Sequence, residues 1–486
     1  MTRYPLLSAA VLLFAACGAP DGSPDATAGG QPGLFRLNLS AEVSSLDPAF
    51  ADNQANIWAV VQLYNGLVRL GDDLSLEPDL ARSWDVSPDG LRYTFHLRTD
   101  ARFHDDAAFG GRERRLVAGD AVYSFRRLLD PALGADGFWV FHDVVDPREG
   151  FAAPDDSTLV ITLREPFRPF LSRLAMPYCA IVPREAVEAY GADFRNHPVG
   201  TGPFRLVAWE EGERLQLGRH DGYFRRDAEG RPLPYLEAVR FSFQSAKGTE
   251  FLRFRNGELD FVSDLDAESL DRVLDESGGL RPEFAEGMTL LRGPYYNTEY
   301  LGINLEAAAA QGSPLADARV RRALHLAIDR ERMLTYQRNG KGLPARGFTP
   351  PALTGEDAGR GQVADPDRAA ALLAEAGYPG GRDMPELVLR TNEQYLDLCA
   401  FLAHQWGEIG VPVRLETMDG KVLRETMVKG QSVFFRASWI ADYPDAESFL
   451  TVFRGGVGAP PNYTRFADPA FDAWYAEAVR EGDEAR

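Results

Sequence analysis

Only three cysteines occur among 486 residues, at positions 17, 179 and 399, so no disulfide framework can carry this fold. Histidine is also sparse: residues 96, 104, 142, 197, 220, 325 and 404 are scattered, with no pair at metal-ligand spacing. His325 falls inside a helical stretch and reads as a surface or boundary residue. Catalytic signatures are missing too: there is no G-x-S-x-G elbow, H-E-x-x-H, Walker A loop or G-x-G-x-x-G. Gly200-Thr201-Gly202-Pro203 has the glycines of a phosphate cradle, but Pro203 removes a donor and no lysine follows. It reads as a turn entering a strand. Carboxylates are plentiful, yet sequence cannot pair two of them into an acid–base couple. Positive charge is short, 52 basic against 72 acidic side chains, and the net −20 repels phosphate backbones and anionic headgroups. The expectation is therefore a chain that is not an enzyme, holds no metal or cofactor, and binds no nucleic acid.

No apolar run is long enough to span a bilayer. Leu6 to Phe14 follows Arg3 and leads into Ala15-Ala16-Cys17-Gly18, the layout of a signal segment. Small residues just before a cysteine resemble a bacterial lipobox, with Phe14 standing where leucine is usual. An ordinary secretory signal with an incidental cysteine is the alternative. The following stretch favours acylation of Cys17, because residues 18–33 are rich in Gly, Ala, Pro, Asp and Ser and suit a flexible tether. Cys179 and Cys399 sit among apolar neighbours and are expected as buried free thiols, although spacing alone leaves a disulfide open.

What the sequence does contain is a balance of 45% hydrophobic and 26% charged residues, enough for a globular chain of several lobes. From Leu34 onward strand and helix patterns alternate, which argues α/β. Tyr93, Phe95 and Leu97, and likewise Leu159, Ile161 and Leu163, alternate with polar residues as half-buried strands do. Arg319 to Met333 reads as one helix on Val320, Ala323, Leu324, Ala327 and Ile328, with Asp317 as its cap. Asp365-Pro366 starts another, whose Ala369, Leu372, Leu373 and Ala376 share a face and which Gly377 ends. Trp406, Ile409, Val411 and Val413 predict a helix passing into a strand across Gly410. Pro469 to Arg486 reads as an uncapped amphipathic helix with Phe471, Trp474, Tyr475 and Ala478 on its apolar face, as if a further segment followed. Asp442, in Ser438-Trp439-Ile440-Ala441-Asp442-Tyr443-Pro444-Asp445, reads locally as the start of a turn after a strand at 433–440.

A longer series of landmarks changes that last reading. Ser45-Leu46-Asp47-Pro48, Leu76-Glu77-Pro78-Asp79-Leu80-Ala81 and Asp89-Gly90-Leu91-Arg92-Tyr93-Thr94-Phe95 come first. Val117-Ala118-Gly119-Asp120, Gly200-Thr201-Gly202-Pro203-Phe204 and Asn256-Gly257-Glu258-Leu259-Asp260 follow. Val320-Arg321-Arg322-Ala323-Leu324, Leu372-Leu373-Ala374-Glu375-Ala376-Gly377-Tyr378 and Trp439-Ile440-Ala441-Asp442-Tyr443 complete the series. In this order they resemble the family-5 extracellular solute-binding proteins of ABC importers. Pro344-Ala345-Arg346-Gly347-Phe348-Thr349-Pro350-Pro351 brings the likeness nearest to oligopeptide-binding lipoproteins. Asp105 to Arg115 departs from the family by lengthening a hairpin, expected on the outer surface.

The resemblance implies a type II periplasmic-binding-protein clamshell, α/β, of two lobes with mixed sheets and an extra domain inserted in lobe one. Residues 1–17 would be the signal peptide with its lipobox and 18–33 the tether. Lobe one would comprise 34–68 and 200–293, the extra domain 69–199 and lobe two 294–461, with crossings near Pro294 and Asn462. Residues 462–486 would return to lobe one and continue beyond the present end. The implied role is capture of oligopeptides outside the cytoplasmic membrane and delivery to ABC permease subunits driven by cytoplasmic ATPases. The binder would be a monomer, held to a bacterial membrane only through Cys17. Other relatives imply a dipeptide, opine, nickel chelate or cello-oligosaccharide; a ligand-sensing receptor and a secreted hydrolase are the other classes. The matching site positions are Asp442 for the ligand's α-ammonium and Trp439 at a side-chain pocket, with Ile440 between them as a further ligand-binding residue. Asp52 and Asn53 match the first-lobe loop, and Phe138 and Trp139 an aromatic in the extra domain. Strand 433–440 and loop 51–54 would be the facing edges for an extended ligand.

Overall fold

The computed structural model describes residues 33–481, apart from 266, 276–277, 294, 339–341 and 355–362. The signal segment, Cys17, the tether through residue 32 and the crossing at Pro294 lie outside the described residues. The described chain forms two compact units, one running to Met288 and one from Thr289 to Glu481.

The first unit begins with β1 (Leu34–Leu39) and the helix Gln54–Leu63. A short pair follows, β2 (Val68–Leu70) with β3 (Leu76–Pro78). Next comes an antiparallel sheet of β4 (Ala81–Val86), β5 (Arg92–Leu97), β6 (Phe151–Asp155) and β7 (Thr158–Thr162), ordered β4-β5-β7-β6. β8 (Phe204–Glu210), β9 (Arg214–Arg219) and β10 (Ala238–Phe243) then complete a mixed sheet with β1, ordered β1-β10-β9-β8, in which β1 and β10 run parallel. One sheet is thus interrupted in sequence by another. Side-chain alternation builds the second: Tyr93, Phe95 and Leu97 of β5 are buried, as are Leu159 and Ile161 of β7. Helix Ala118–Leu128 packs there through Phe125, whose ring lies 4.8 Å from Phe141 and 5.6 Å from Phe151. The lengthened hairpin 105–115 is largely exposed, with Phe109 buried as its anchor.

The turn at Gly200 holds these parts together. A Cβ at Gly200 or Gly202 would collide with the main chain of Leu63, so glycine is required there for close approach. Around it sits a buried polar cluster. Thr201 Oγ1 donates to Asn65 Oδ1 at 3.0 Å, and Asn65 Nδ2 donates to Asp79 Oδ2 at 2.9 Å. The Gly200 amide donates to His104 Nδ1 at 3.3 Å, which leaves the proton on Nε2 facing the Gly202 carbonyl at 3.1 Å.

The second unit is a mixed sheet of β11 (Asn297–Ile303), β12 (Leu387–Thr391), β13 (Val413–Thr417) and β14 (Phe434–Ile440), ordered β11-β14-β12-β13. Helices Ala318–Leu326, Pro366–Glu375 and Leu396–Glu408 enclose its core around Trp406, whose indole donates to the Leu324 carbonyl at 2.9 Å. Asp317 and Asp365 accept hydrogen bonds from the first-turn amides of Arg319 and Arg368 as expected caps. Gly377 and Gly410 take φ of +100° and +85° at the expected breaks. Cys179 and Cys399 are buried and unpaired, and burial raises both thiols above their ordinary range.

Three expectations need correction. The helix over 319–333 is two, Ala318–Leu326 and Arg330–Arg338. Asp329 accepts from the Arg332 amide at 2.9 Å and so starts a new helix, while Ala327 and Ile328 stay buried in the break and mimic continuity. The last helix is Pro469–Ala478, and of its predicted apolar face only Tyr475 is buried, Trp474 being 68% exposed. Residues 462–481 group with the second unit rather than returning to the first.

Candidate functional site

β11 pairs with β14 along its whole length, from Asn297 opposite Ile440 to Ile303 opposite Phe434. β12 pairs with it only at Phe434 and Phe435, because β12 ends at Thr391 and the chain turns into Glu393–Tyr395. The expected edge over 433–440 is therefore interior at its start. From Arg436 to Ile440 β14 has no strand on its second side among the described residues. Alternation assigns the side chains: Phe434 enters the core with Trp406, and Phe435 and Ala437 face Leu423 and Met427. Trp439 continues the Phe435 face and Ile440 the opposite one. Ile440 is 49% exposed.

Just beyond β14 the backbone bends, in keeping with the local turn pattern, and leaves Asp442 exposed. The short helix Glu447–Leu450 holds this bend from behind. Its Ser448 accepts twice, from Trp439 Nε1 at the carbonyl (2.6 Å) and from the Asp442 amide at Oγ (3.0 Å). The neighbouring Glu447 is buried and accepts from the hydroxyls of Tyr443 and Tyr475, one on each carboxylate oxygen. Burial, then the charge of Glu447, pushes the Tyr475 phenol upward. The Glu447 amide in turn donates to Asp445 Oδ1 at 2.8 Å. Bend, strand end and last helix are thus tied at one point. The Pro344–Pro351 landmark runs beside β11: Thr298 Oγ1 donates to the Phe348 carbonyl at 2.8 Å, and the Phe348 ring packs 4.8 Å from Phe453 and 5.2 Å from Tyr300.

In the first unit, Asp52 is exposed at the entrance to helix Gln54–Leu63. Asn53 is its N-cap, accepting from the Asn56 amide at 3.1 Å and donating to Asp52 Oδ1 at 2.9 Å. Its amide is spent on holding the loop and Asp52. The charge of Asp52 reaches Asp136, whose carboxyl is raised first by burial and then by that neighbour. Phe138 and Trp139 follow Asp136 closely in the chain. Phe138 lies half-buried against His142 at 4.5 Å, and the exposed Trp139 has the buried Arg173 guanidinium 5.4 Å from its ring. Asp47, from the first landmark, is buried under Arg127, with oxygen–nitrogen distances of 2.9 and 2.5 Å, and anchors the loop from below.

Ser448, Tyr395 and Arg436, which flank the end of β14, were not singled out in the sequence. Arg436 stacks 3.1 Å above the Tyr395 ring and pairs with Glu299. A charge inside the apolar run Phe434-Phe435-Arg436-Ala437 was its available signal. Among the described residues no group of three or more His, Cys, Asp or Glu is placed to hold a metal ion. Likewise no helix there is long and apolar enough to cross a membrane.

The chain is 29% identical to the periplasmic oligopeptide-binding protein OppA of Escherichia coli, over all of this chain and 89% of that protein. It is 27% identical to the glutathione-binding protein GsiB of Pectobacterium atrosepticum, over 92% of this chain and 83% of that one. The periplasmic binding protein DppA of Helicobacter pylori, solved with the peptide STSA, superposes with a TM-score of 0.78 at 25% identity, covering 93% of this chain and 88% of its own. The fold is that of type II periplasmic binding proteins. The family model for bacterial extracellular solute-binding proteins, family 5, matches residues 75–460, and the chain belongs to that family.

Proposed function

We propose that this protein captures oligopeptides outside the cytoplasmic membrane and hands them, uncleaved, to an ABC permease. The observation that carries this reading is the end of β14: a free strand side, an indole fixed by Ser448, and the exposed Asp442 within the same seven residues. A binder of varied peptides must recognise what all share, an extended backbone and an α-ammonium. A free strand side supplies the first by strand addition, and Asp442 the second. The names of the relatives support peptides as the ligand class. Trp439 offers its face to ligand side chains. Asp52 and the Asn53 that holds it, Phe138, Trp139 and the exposed Ile440 are the remaining ligand contacts in this reading. Ligand that binds one conformation of the protein better than another shifts the population toward it, and a permease would select that ligand-bound state. Acylation of Cys17 anchors the monomer to a bacterial membrane.

The test crosses two changes. Asp442→Ala removes the carboxylate, and acetylating the peptide's N-terminus removes the charge opposite. Each alone should cost about 2–5 kcal/mol, roughly thirty- to several-thousandfold in Kd. Together they should cost much less than the sum, since both break one interaction. Calorimetry of all four combinations decides it. Fully additive losses would reject the pairing of Asp442 with the ammonium.

A further inference from the structure

We infer that Ser448 is a positioning residue that sets ligand discrimination, holding Trp439 and Asp442 in one fixed relation. The inference rests on the reading of Asp442 as the ammonium partner. Trp439 and Asp442 are separated by a strand end and a bend, where backbone torsions have the most freedom. Ser448 removes that freedom from both sides at once. Its carbonyl accepts the indole N–H at 2.6 Å, which fixes ring rotation, and its hydroxyl accepts the Asp442 amide at 3.0 Å, which fixes the bend. The clamp itself does not move easily. Ser448 is 1% exposed, its amide donates to the Asp445 carbonyl at 3.2 Å, and the adjacent Glu447 is gripped by Tyr443 and Tyr475. A bond to the amide of Asp442 acts on the backbone of the bend and so decides where its side chain points. Preorganisation of this kind acts on affinity by removing the ordering cost that binding would otherwise carry.

Substitution separates the two grips. Ser448→Ala deletes the hydroxyl and keeps the carbonyl, so it should free the Asp442 bend and leave the indole in place. The readout is the ratio of Kd values for an acetylated and a free peptide of the same sequence, measured by calorimetry on full-length protein. Ser448→Ala should narrow that ratio about three- to tenfold, the span of one lost neutral hydrogen bond. Ser448→Cys, which keeps a weak acceptor, should restore part of it. In the Asp442→Ala background, Ser448→Ala should change the ratio no further. General destabilisation would weaken both peptides alike and leave the ratio unmoved, and that result would overturn the inference. If Asp442→Ala itself leaves the ratio unchanged, the ammonium reading fails first. If it collapses the ratio while Ser448→Ala does not, the positioning role alone is wrong.

Discussion

Asp79 and His104 show how single residues in the buried junction respond to pH. Burial holds the Asp79 carboxyl up at about 6, although nearby arginines and Asn65 oppose the shift. The folded state therefore keeps this proton more tightly than the unfolded chain. The resulting stability is fully present below the ordinary carboxylate value of 3.8 and is lost as pH rises through about 6. His104 has the opposite sign. Burial, then His220, lowers it to about 3, so its neutral form contributes stability above 6.5 that is lost as pH falls through the folded value. Asp79→Asn removes the carboxyl titration whatever constant cost the amide brings. Denaturation of variant and wild type should then differ by an amount that grows about 2–3 kcal/mol in the variant's favour between about pH 4 and pH 7. A constant difference would show that Asp79 titrates normally. None of this was legible in the sequence, since His104 and its Gly202 partner lie 98 residues apart. Asp442 differs: its neighbours in the chain carried the resemblance that singled it out, while Ser448, six residues on, gave no signal.

Among the elements, those defined by local chemistry were readable and those defined by pairing were not. Asp365 with Pro366 and Gly377 bracket a helix through short-range capping, and the observed helix Pro366–Glu375 agrees. Ala327 and Ile328 misled because burial, not helical geometry, keeps them apolar across a break set by Asp329. For β14 the strand was legible and its neighbours were not: whether a strand is an edge depends on where β12 stops, 43 residues earlier in the chain at Thr391 against Phe434. The free side from Arg436 to Ile440 makes a specific demand of an extended ligand. Methylating backbone amides of a bound peptide one at a time should weaken binding about two- to tenfold at alternate positions and little between them. Titration calorimetry over such a series checks this. Indifference at every position would mean that the ligand does not add to β14.

The arrangement of the whole molecule came from the family resemblance, because periodicity gives strands and helices but no account of which join. A sheet built from residues 34–39 and 204–243 and interrupted by another built from 81–162 is invisible to local pattern. The same holds for the last helix, which packs with the second unit through Tyr475 and Glu447 where a return to the first was expected. What the whole chain does is tested most directly by the solute it carries. Protein purified without unfolding, then denatured and examined by mass spectrometry, should release intact peptides in near-stoichiometric amount. Stripped protein given the same peptides should gain about 2.7 kcal/mol of stability at a hundredfold excess over Kd and return them uncleaved. Release of a solute with no peptide bond as the only ligand, or turnover of the bound peptide at a rate that survives further purification, would contradict the account.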